Sequence, residues 1–124
     1  MAAKSEQVTV AEFVCEDERR RVYLREDNGR MVTIGEESSG RMTRLAYGDG
    51  FHRGELHAGR DRIWKMLQNL TGAERLERAL MVLFQDGSVS LADLLDECDA
   101  RGVGYWFSSV GDVTGPALRR SRVA

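Results

Sequence analysis

Two histidines and two carboxylates lie within nine residues of a glycine-rich segment. Asp49, His52, Glu55 and His57 are of the types that bind zinc and other divalent ions through imidazole nitrogens and carboxylate oxygens. The spacing of the histidines matches no established zinc motif, and the glycines indicate a flexible segment without fixed ligand geometry. We therefore predict no metal ligands, and a metal or small-ligand site around His52 and His57 stays an alternative hypothesis.

A catalytic nucleophile needs an adjacent base, and neither cysteine has a histidine nearby in the sequence. Cys15 precedes Glu16-Asp17-Glu18, whose negative charge disfavours a thiolate, and Cys98 lies on the apolar stripe of a predicted helix. The segment Ser38-Ser39-Gly40-Arg41 lacks the spacing of a phosphate-binding loop. We therefore predict no catalytic residue, no cofactor and a protein that is not an enzyme.

Aromatic and arginine side chains are the other residues that could form a functional surface, because they dominate the binding energy of many protein interfaces. Trp106 stands between Tyr105 and Phe107 in a predicted strand, so alternation directs it to the opposite face from its two neighbours. The alternative is that both faces are covered and that all these rings belong to the core. We predict a partner-binding site formed by Phe51, Arg53, Trp64 and Trp106.

The composition indicates one globular domain. The chain has 124 residues, of which 42% are hydrophobic and 31% are charged, and its formal net charge is −2. Two halves of this length could not each stabilise a core, so residues 1–124 are expected to form a single domain. The net charge gives no overall positive field for nucleic acid or anionic membranes. Two widely separated cysteines and the lack of an apolar run of about 20 residues predict a cytoplasmic protein.

The first half of the chain has the pattern of β-strands, with a hairpin as its clearest feature. Asn28-Gly29 lies between two apolar segments and is typical of a two-residue type I′ turn. Such a turn pairs Arg25 with Val32 and Tyr23 with Ile34.

Strands over residues 8–14 and 41–47 extend this hairpin into a predicted four-strand meander. The following segment, residues 48–59, contains four glycines and is predicted to be a loop because glycine is unfavourable inside regular elements.

The second half has helical periodicity. Apolar residues at intervals of three and four predict helices over residues 61–70, 71–85 and 90–101. Thr71 and Glu74 have the spacing of a capping box, Ser90 is placed to cap the third helix, and Gly102 is placed to end it.

A strand over residues 103–110 follows the helices, and residues 1–5 and 111–124 are expected to be irregular. Strands, then helices, then one strand are typical of the α+β class. We predict an antiparallel sheet of four to five strands, an N-terminal meander plus a C-terminal strand, packed against two to three helices.

Charge distribution separates two classes of partner. Residues 50–70 carry four positive and two negative side chains, whereas residues 86–101 carry one positive and five negative ones. A winged-helix-like regulator is the alternative, but its third helix would bring four carboxylates to the DNA phosphates. We therefore expect a small protein that acts by binding another macromolecule, most readily a protein, as an inhibitor, an adaptor or an accessory factor of a mobile element.

Overall fold

A computed structural model describes residues 7–121 as an antiparallel sheet with helices on one side. Within these residues, six strands are hydrogen-bonded in chain order, which confirms the α+β class. The predicted numbers, four to five strands and two to three helices, are too low, because residues 7–121 form six strands and four helices. Residues 1–5, expected to be irregular, lie outside the described part of the chain. The elements are β1 (Gln7–Cys15), β2 (Glu18–Glu26), β3 (Met31–Ser39), α1 (Arg41–Tyr47), β4 (Phe51–Gly59), α2 (Arg60–Thr71), α3 (Leu76–Leu83), α4 (Leu91–Arg101), β5 (Tyr105–Gly111) and β6 (Gly115–Arg120).

One face of the sheet forms the core with α2, α3 and α4. The strands contribute alternate apolar residues, and each helix contributes its apolar stripe, so the core lies between two layers. The fully buried members of largest volume include Ile34, Leu56, Ile63, Leu67, Leu80, Phe84, Leu94 and Leu95. We call the opposite face of the sheet, which carries Tyr23, Thr33, Arg53, His57, Trp106 and Leu118, the open face.

The β2–β3 hairpin is present, but the predicted pairing of Tyr23 with Ile34 is wrong, because Leu24 opposes Ile34. A shift of one residue reverses the face of every side chain in one strand relative to the other. In the observed register, the buried residues Val22, Leu24, Val32 and Ile34 all face the helices. The burial of these four side chains on one face accounts for the register.

The hairpin loop is longer than a two-residue turn, since it contains the four residues between Glu26 and Met31. Only Gly29 in this loop has a positive φ, of 79°, which excludes a type I′ turn. The Asn28 side chain instead accepts hydrogen bonds from the backbone N–H groups of Arg30 and Met31, both at 3.1 Å. The Asn28 side chain therefore organises this loop, whereas the sequence pattern predicted a turn defined by its backbone angles.

Residues 41–47, predicted to be a strand, form α1. The first turn of α1 is completed by Glu18, whose carboxylate accepts hydrogen bonds from the N–H groups of Met42 at 3.0 Å and Thr43 at 3.4 Å. The Thr43 hydroxyl donates to the same carboxylate at 2.5 Å. Gly48 ends the helix with a φ of 77°. The hydrogen-bond acceptor for the free N–H groups of α1 thus comes from β2. Local sequence does not reveal such a contact between residues distant in the chain.

Two further segments predicted to lack regular structure are strands. Residues 51–59, within the predicted loop 48–59, form β4 between β3 and β5. Glycine fits at position 54 of this strand because the Phe107 ring packs where the Cβ of any other residue would lie. The tail predicted to be irregular over residues 111–124 contains β6, which pairs with β5 and forms the edge of the sheet. Residues 122–124 lie outside the described part of the chain.

Two of the three predicted helices are confirmed, and the start of the middle one is corrected. Ser90 and Asp93 form a capping box at the start of α4, and Gly102 ends it with a φ of 71°. Thr71 does not cap α3; it is the last residue of α2, where its hydroxyl donates to the Leu67 carbonyl at 2.8 Å, and Gly72 ends the helix with a φ of 73°. Within residues 7–121, no helix is both long and apolar enough to cross a membrane.

Candidate interaction surface

Alternation along β4 and β5 determines which predicted site residues meet. Phe51 and Arg53 lie on the open face, together with Trp106 of β5, which opposes His57 of β4. Trp64 lies in α2, partly buried against the core, and therefore belongs to the other layer of the molecule. The structure thus brings three of the four predicted anchors to one face and separates Trp64 from them.

The open face of β5 and β6 exposes three large apolar side chains. Trp106 is 52% exposed, Val110 is 39% exposed and Leu118 is 66% exposed. Leu118 opposes Ser108, which lies between Trp106 and Val110 on the same face, so these three side chains form one group. We call this group the β5–β6 patch.

Val110 and Leu118 were not among the predicted site residues. Val110 follows Trp106 by four residues, so alternation along the strand predicts that both lie on the same face. The sequence alone could therefore have identified Val110. Leu118 was hidden because residues 111–124 were expected to be irregular, and the pairing of β6 with β5 is what brings it beside the other two.

Two arginines flank the β5–β6 patch. Arg53 opposes Val110 on one side, and Arg120 opposes Trp106 on the other. The Arg53 guanidinium forms an ion pair with Glu37 at 3.4 Å and lies over the Phe51 ring, 5.6 Å from its centroid. The apolar side chains are thus bordered by positive charge.

A partly buried hydrogen-bond network supports the centre of the open face. The Tyr23 ring is fully buried, and its hydroxyl donates to Glu55 at 2.6 Å. Burial, followed by this contact with Glu55, raises the pKa of Tyr23 well above its usual value. Arg25 forms ion pairs with Glu55 at 3.5 Å and with Asp27 at 2.8 Å. These contacts cross three strands and hold the polar side chains in place beside the patch.

His57 belongs to a second line of hydrogen bonds on the same face. Its Nδ1 lies 2.9 Å from the Thr33 hydroxyl oxygen, and its Nε2 lies 3.1 Å from that of Ser108. The Thr33 hydroxyl also donates to Asp27 at 2.8 Å. Burial lowers the pKa of His57, although the negative charges of Glu55 and Asp27 act to raise it. The imidazole is therefore neutral at neutral pH.

The two histidines lie on opposite faces of β4 and cannot bind the same ion. His52 faces the helix side, where its ring stacks on Tyr47 with a centroid distance of 3.8 Å. Within the described residues 7–121, no three side chains among the histidines, cysteines and carboxylates are grouped so that they could hold a metal ion.

A cleft of about 300 Å³ lies on the helix side between α1, α4 and β4. Its polar lining residues are Glu36, Tyr47, His52, Ser109 and Arg119, and Phe107 is among its apolar ones. Burial raises the pKa of Glu36, although Arg20 opposes the shift; burial also raises the pKa of Tyr47 and lowers that of His52. The Glu36 carboxylate already accepts a hydrogen bond from the Leu91 N–H at 3.2 Å, so one of its hydrogen-bond acceptor sites is used within the fold.

The cysteines differ in environment. Cys98 is buried on α4, and burial raises the pKa of its thiol to about 12, with Asp99 and Glu97 adding to the shift. Cys15 is exposed at the end of β1. The sequence interpretation of Cys98 as a buried apolar residue is confirmed.

Comparisons of this chain with known protein families, with curated proteins and with solved structures found no match.

Proposed function

We propose that this protein acts by binding another protein through the β5–β6 patch. The observation that carries the proposal is the exposure of Trp106, Val110 and Leu118 side by side on a sheet face. Tryptophan is among the residue types that dominate interface energy, and here Trp106 belongs to an exposed apolar group. An exposed group of this kind marks an interaction surface more often than isolated apolar residues do.

The patch is preorganised by the strands that carry it. Backbone pairing extends from Trp106 to Gly111 on β5 and holds the neighbouring residues of β4 and β6 in register. The His57 ring contacts the Trp106 ring edge-on, with a centroid distance of 5.9 Å and an interplanar angle of 67°. Side chains fixed in this way lose little conformational entropy when a partner binds.

The charges beside the patch indicate the chemistry of the partner. Arg53 and Arg120 flank the apolar side chains and would attract carboxylates. We therefore propose a partner surface with an apolar centre and acidic residues at its border. The winged-helix alternative requires α4 to face phosphates, and its side chains Asp93 and Asp96 are exposed and acidic.

The first experiment measures whether Trp106 is accessible. Acrylamide should quench the fluorescence of Trp106 efficiently and that of the partly buried Trp64 less, so Trp106→Phe should remove most of the quenchable signal. Efficient quenching that persists in the Trp106→Phe variant would place the exposed indole at Trp64 and contradict the assignment of the patch.

The second experiment tests binding directly. The wild-type chain is used to capture its partner from an extract of the source cells, and the Kd of the purified partner is then compared among variants by calorimetry. Trp106→Ala should weaken binding by about 30-fold or more, equivalent to about 2 kcal/mol. Leu45→Ala is the matched control, because Leu45 is 74% exposed but lies on α1.

Three results would contradict the proposal: an unchanged Kd for Trp106→Ala, an equal loss for Leu45→Ala, or retention of nucleic acid that declines steeply with salt. Urea unfolding of each variant separates lost binding from lost folding.

A further inference from the structure

A continuous line of hydrogen bonds joins four side chains on the open face. Ser108 Oγ lies 3.1 Å from His57 Nε2, His57 Nδ1 lies 2.9 Å from Thr33 Oγ1, and Thr33 Oγ1 donates to Asp27 Oδ2 at 2.8 Å. The four residues come from the β2–β3 loop, β3, β4 and β5, so only the folded sheet brings them together.

The direction of each hydrogen bond follows from the number of protons available. The Asp27 carboxylate can only accept, so the single proton of the Thr33 hydroxyl points towards it. Thr33 Oγ1 must then accept from His57, which places the proton of the neutral imidazole on Nδ1. His57 Nε2 is left as an acceptor, and the Ser108 hydroxyl donates to it.

The charged groups around His57 act in both directions. Glu55 on β4 and Asp27 in the hairpin loop favour its protonation, while Arg25 on β2 opposes it. Burial outweighs the carboxylates and lowers the pKa of His57. The lowered pKa leaves Nε2 without a proton at neutral pH, which is the state that a general base requires.

The Ser108 side chain lines a shallow pocket of about 170 Å³ on the open face. Arg53, Glu55, Val110 and Pro116 are among the other lining residues. Arg53 lines this pocket, and the guanidinium N–H groups other than the Nε that pairs with Glu37 can donate hydrogen bonds to an oxygen that becomes negative during acyl transfer. A serine hydrogen-bonded to a neutral histidine and open to a pocket is the arrangement that nucleophilic catalysis uses.

We propose that Ser108 is a base-activated nucleophile that accepts an acyl group from an activated carboxylic ester. The Ser108 oxygen forms a bond to the carbonyl carbon while its proton passes to His57 Nε2. The bond to the leaving alkoxide then breaks, and the alkoxide takes the proton from Nε2, so that acyl-Ser108 and an alcohol are the products. Thr33 and Asp27 act as positioning residues, because they fix the tautomer of His57 and do not touch the ester.

This reaction belongs to the isolated protein and does not depend on the proposed partner. The chain is incubated with p-nitrophenyl acetate, and the acetylated residue is identified by peptide mass spectrometry. Ser108 should be acetylated about 100-fold faster than Ser109, which follows it on β5 and faces the other side of the sheet.

Three variants test the individual roles, and a fourth serves as the control. Ser108→Ala should abolish acetylation at this position, and Ser88→Ala, at an exposed position before α4 and outside the pocket, should leave the rate unchanged. His57→Gln should slow it to the rate of an ordinary serine. Thr33→Val should shift the pH profile of acetylation as well as lower its rate, because the tautomer of His57 is then no longer fixed.

A second measurement is independent of the ester. In Ser108→Cys, the new thiol should react with iodoacetamide faster than the exposed Cys15 of the same chain, because His57 favours the thiolate. Equal labelling of Ser108 and Ser109, or a Ser108→Cys thiol no faster than Cys15, would overturn the proposal.

Discussion

The Tyr23 ring lies directly across Gly35, the residue opposite it on β3. A Cβ at Gly35 would overlap the ring, so the missing side chain is what allows the Tyr23 hydroxyl to reach Glu55 at 2.6 Å. This contact buries an aromatic ring on a face that no core helix covers. It gives the open face a rigid centre next to the β5–β6 patch.

Gly35→Ala should therefore destabilise the protein by about 1–3 kcal/mol, because the Tyr23 ring must move from its packed position. Gly104→Ala is the control, since the Cβ added there meets no atom within 4 Å, and its effect should stay within about 0.5 kcal/mol. Urea unfolding measures both. Equal midpoints for the two variants would contradict the role of the close approach.

Asp49 should make stability depend on acidic pH. Its buried carboxylate accepts hydrogen bonds from the N–H groups of Val113 and Thr114 and from the Thr114 hydroxyl, each at 2.8 Å. Burial acts to raise the pKa of Asp49, but the hydrogen bonds from Thr114 and Val113 outweigh it and hold the pKa below its usual value. The stabilisation is complete above the unfolded pKa of about 3.9 and is lost as the pH falls through the folded pKa.

The Asp49→Asn variant should consequently be less stable than the wild type at neutral pH, and the difference should shrink as the pH is lowered below about 4. Urea midpoints at several pH values give this comparison. Asp17→Asn, in the exposed turn between β1 and β2, should show no such trend. A constant difference between Asp49→Asn and the wild type across the acidic range would show that the charge of Asp49 is not what stabilises the β5–β6 turn.

Arg20 connects β2 to the segment before α4. Its guanidinium donates to the carbonyls of Val89 at 2.8 Å and Gly87 at 3.4 Å, and its Nε lies 3.4 Å from the Glu36 carboxylate. Lysine cannot reproduce this fork of donors. Arg20→Lys should therefore cost about 1–3 kcal/mol in urea unfolding. Arg19→Lys, at the exposed neighbouring position, should leave the stability nearly unchanged. A similar loss of stability at both sites would contradict the role of Arg20 in connecting β2 to the segment before α4.

Leu94 and Asp96 distinguish the two faces of α4. Leu94 is 1% exposed, whereas Asp96 is exposed and lies 3.6 Å from Arg119 as a surface ion pair. Leu94→Ala should lower the free energy of unfolding by about 2–5 kcal/mol through lost burial and a cavity. Asp96→Ala should change it by less than about 0.5 kcal/mol, because such pairs contribute little. The reverse order would mean that α4 packs through its other face.

The limits of local sequence are clearest in two of the three segments whose structure was predicted wrongly. Residues 41–47 alternate like a strand, yet they form α1 because Glu18 supplies hydrogen-bond acceptors from β2. Residues 51–59 contain glycines that predict a loop, yet they form β4 because its neighbours β3 and β5 provide partners for its backbone groups. In both cases, the deciding contact comes from residues distant in the chain.

The sequence by itself determined the α+β class, the capping box at Ser90, the end of α4 at Gly102 and the face of Trp106 relative to its neighbours. These features depend on local periodicity and on side chains within a few residues of one another. Only the tertiary structure decided which residues share a surface. The pairing of β5 with β4 and β6 brings Ser108 to His57 and Leu118 to Trp106, because hydrogen bonding between strands fixes positions that no local pattern specifies.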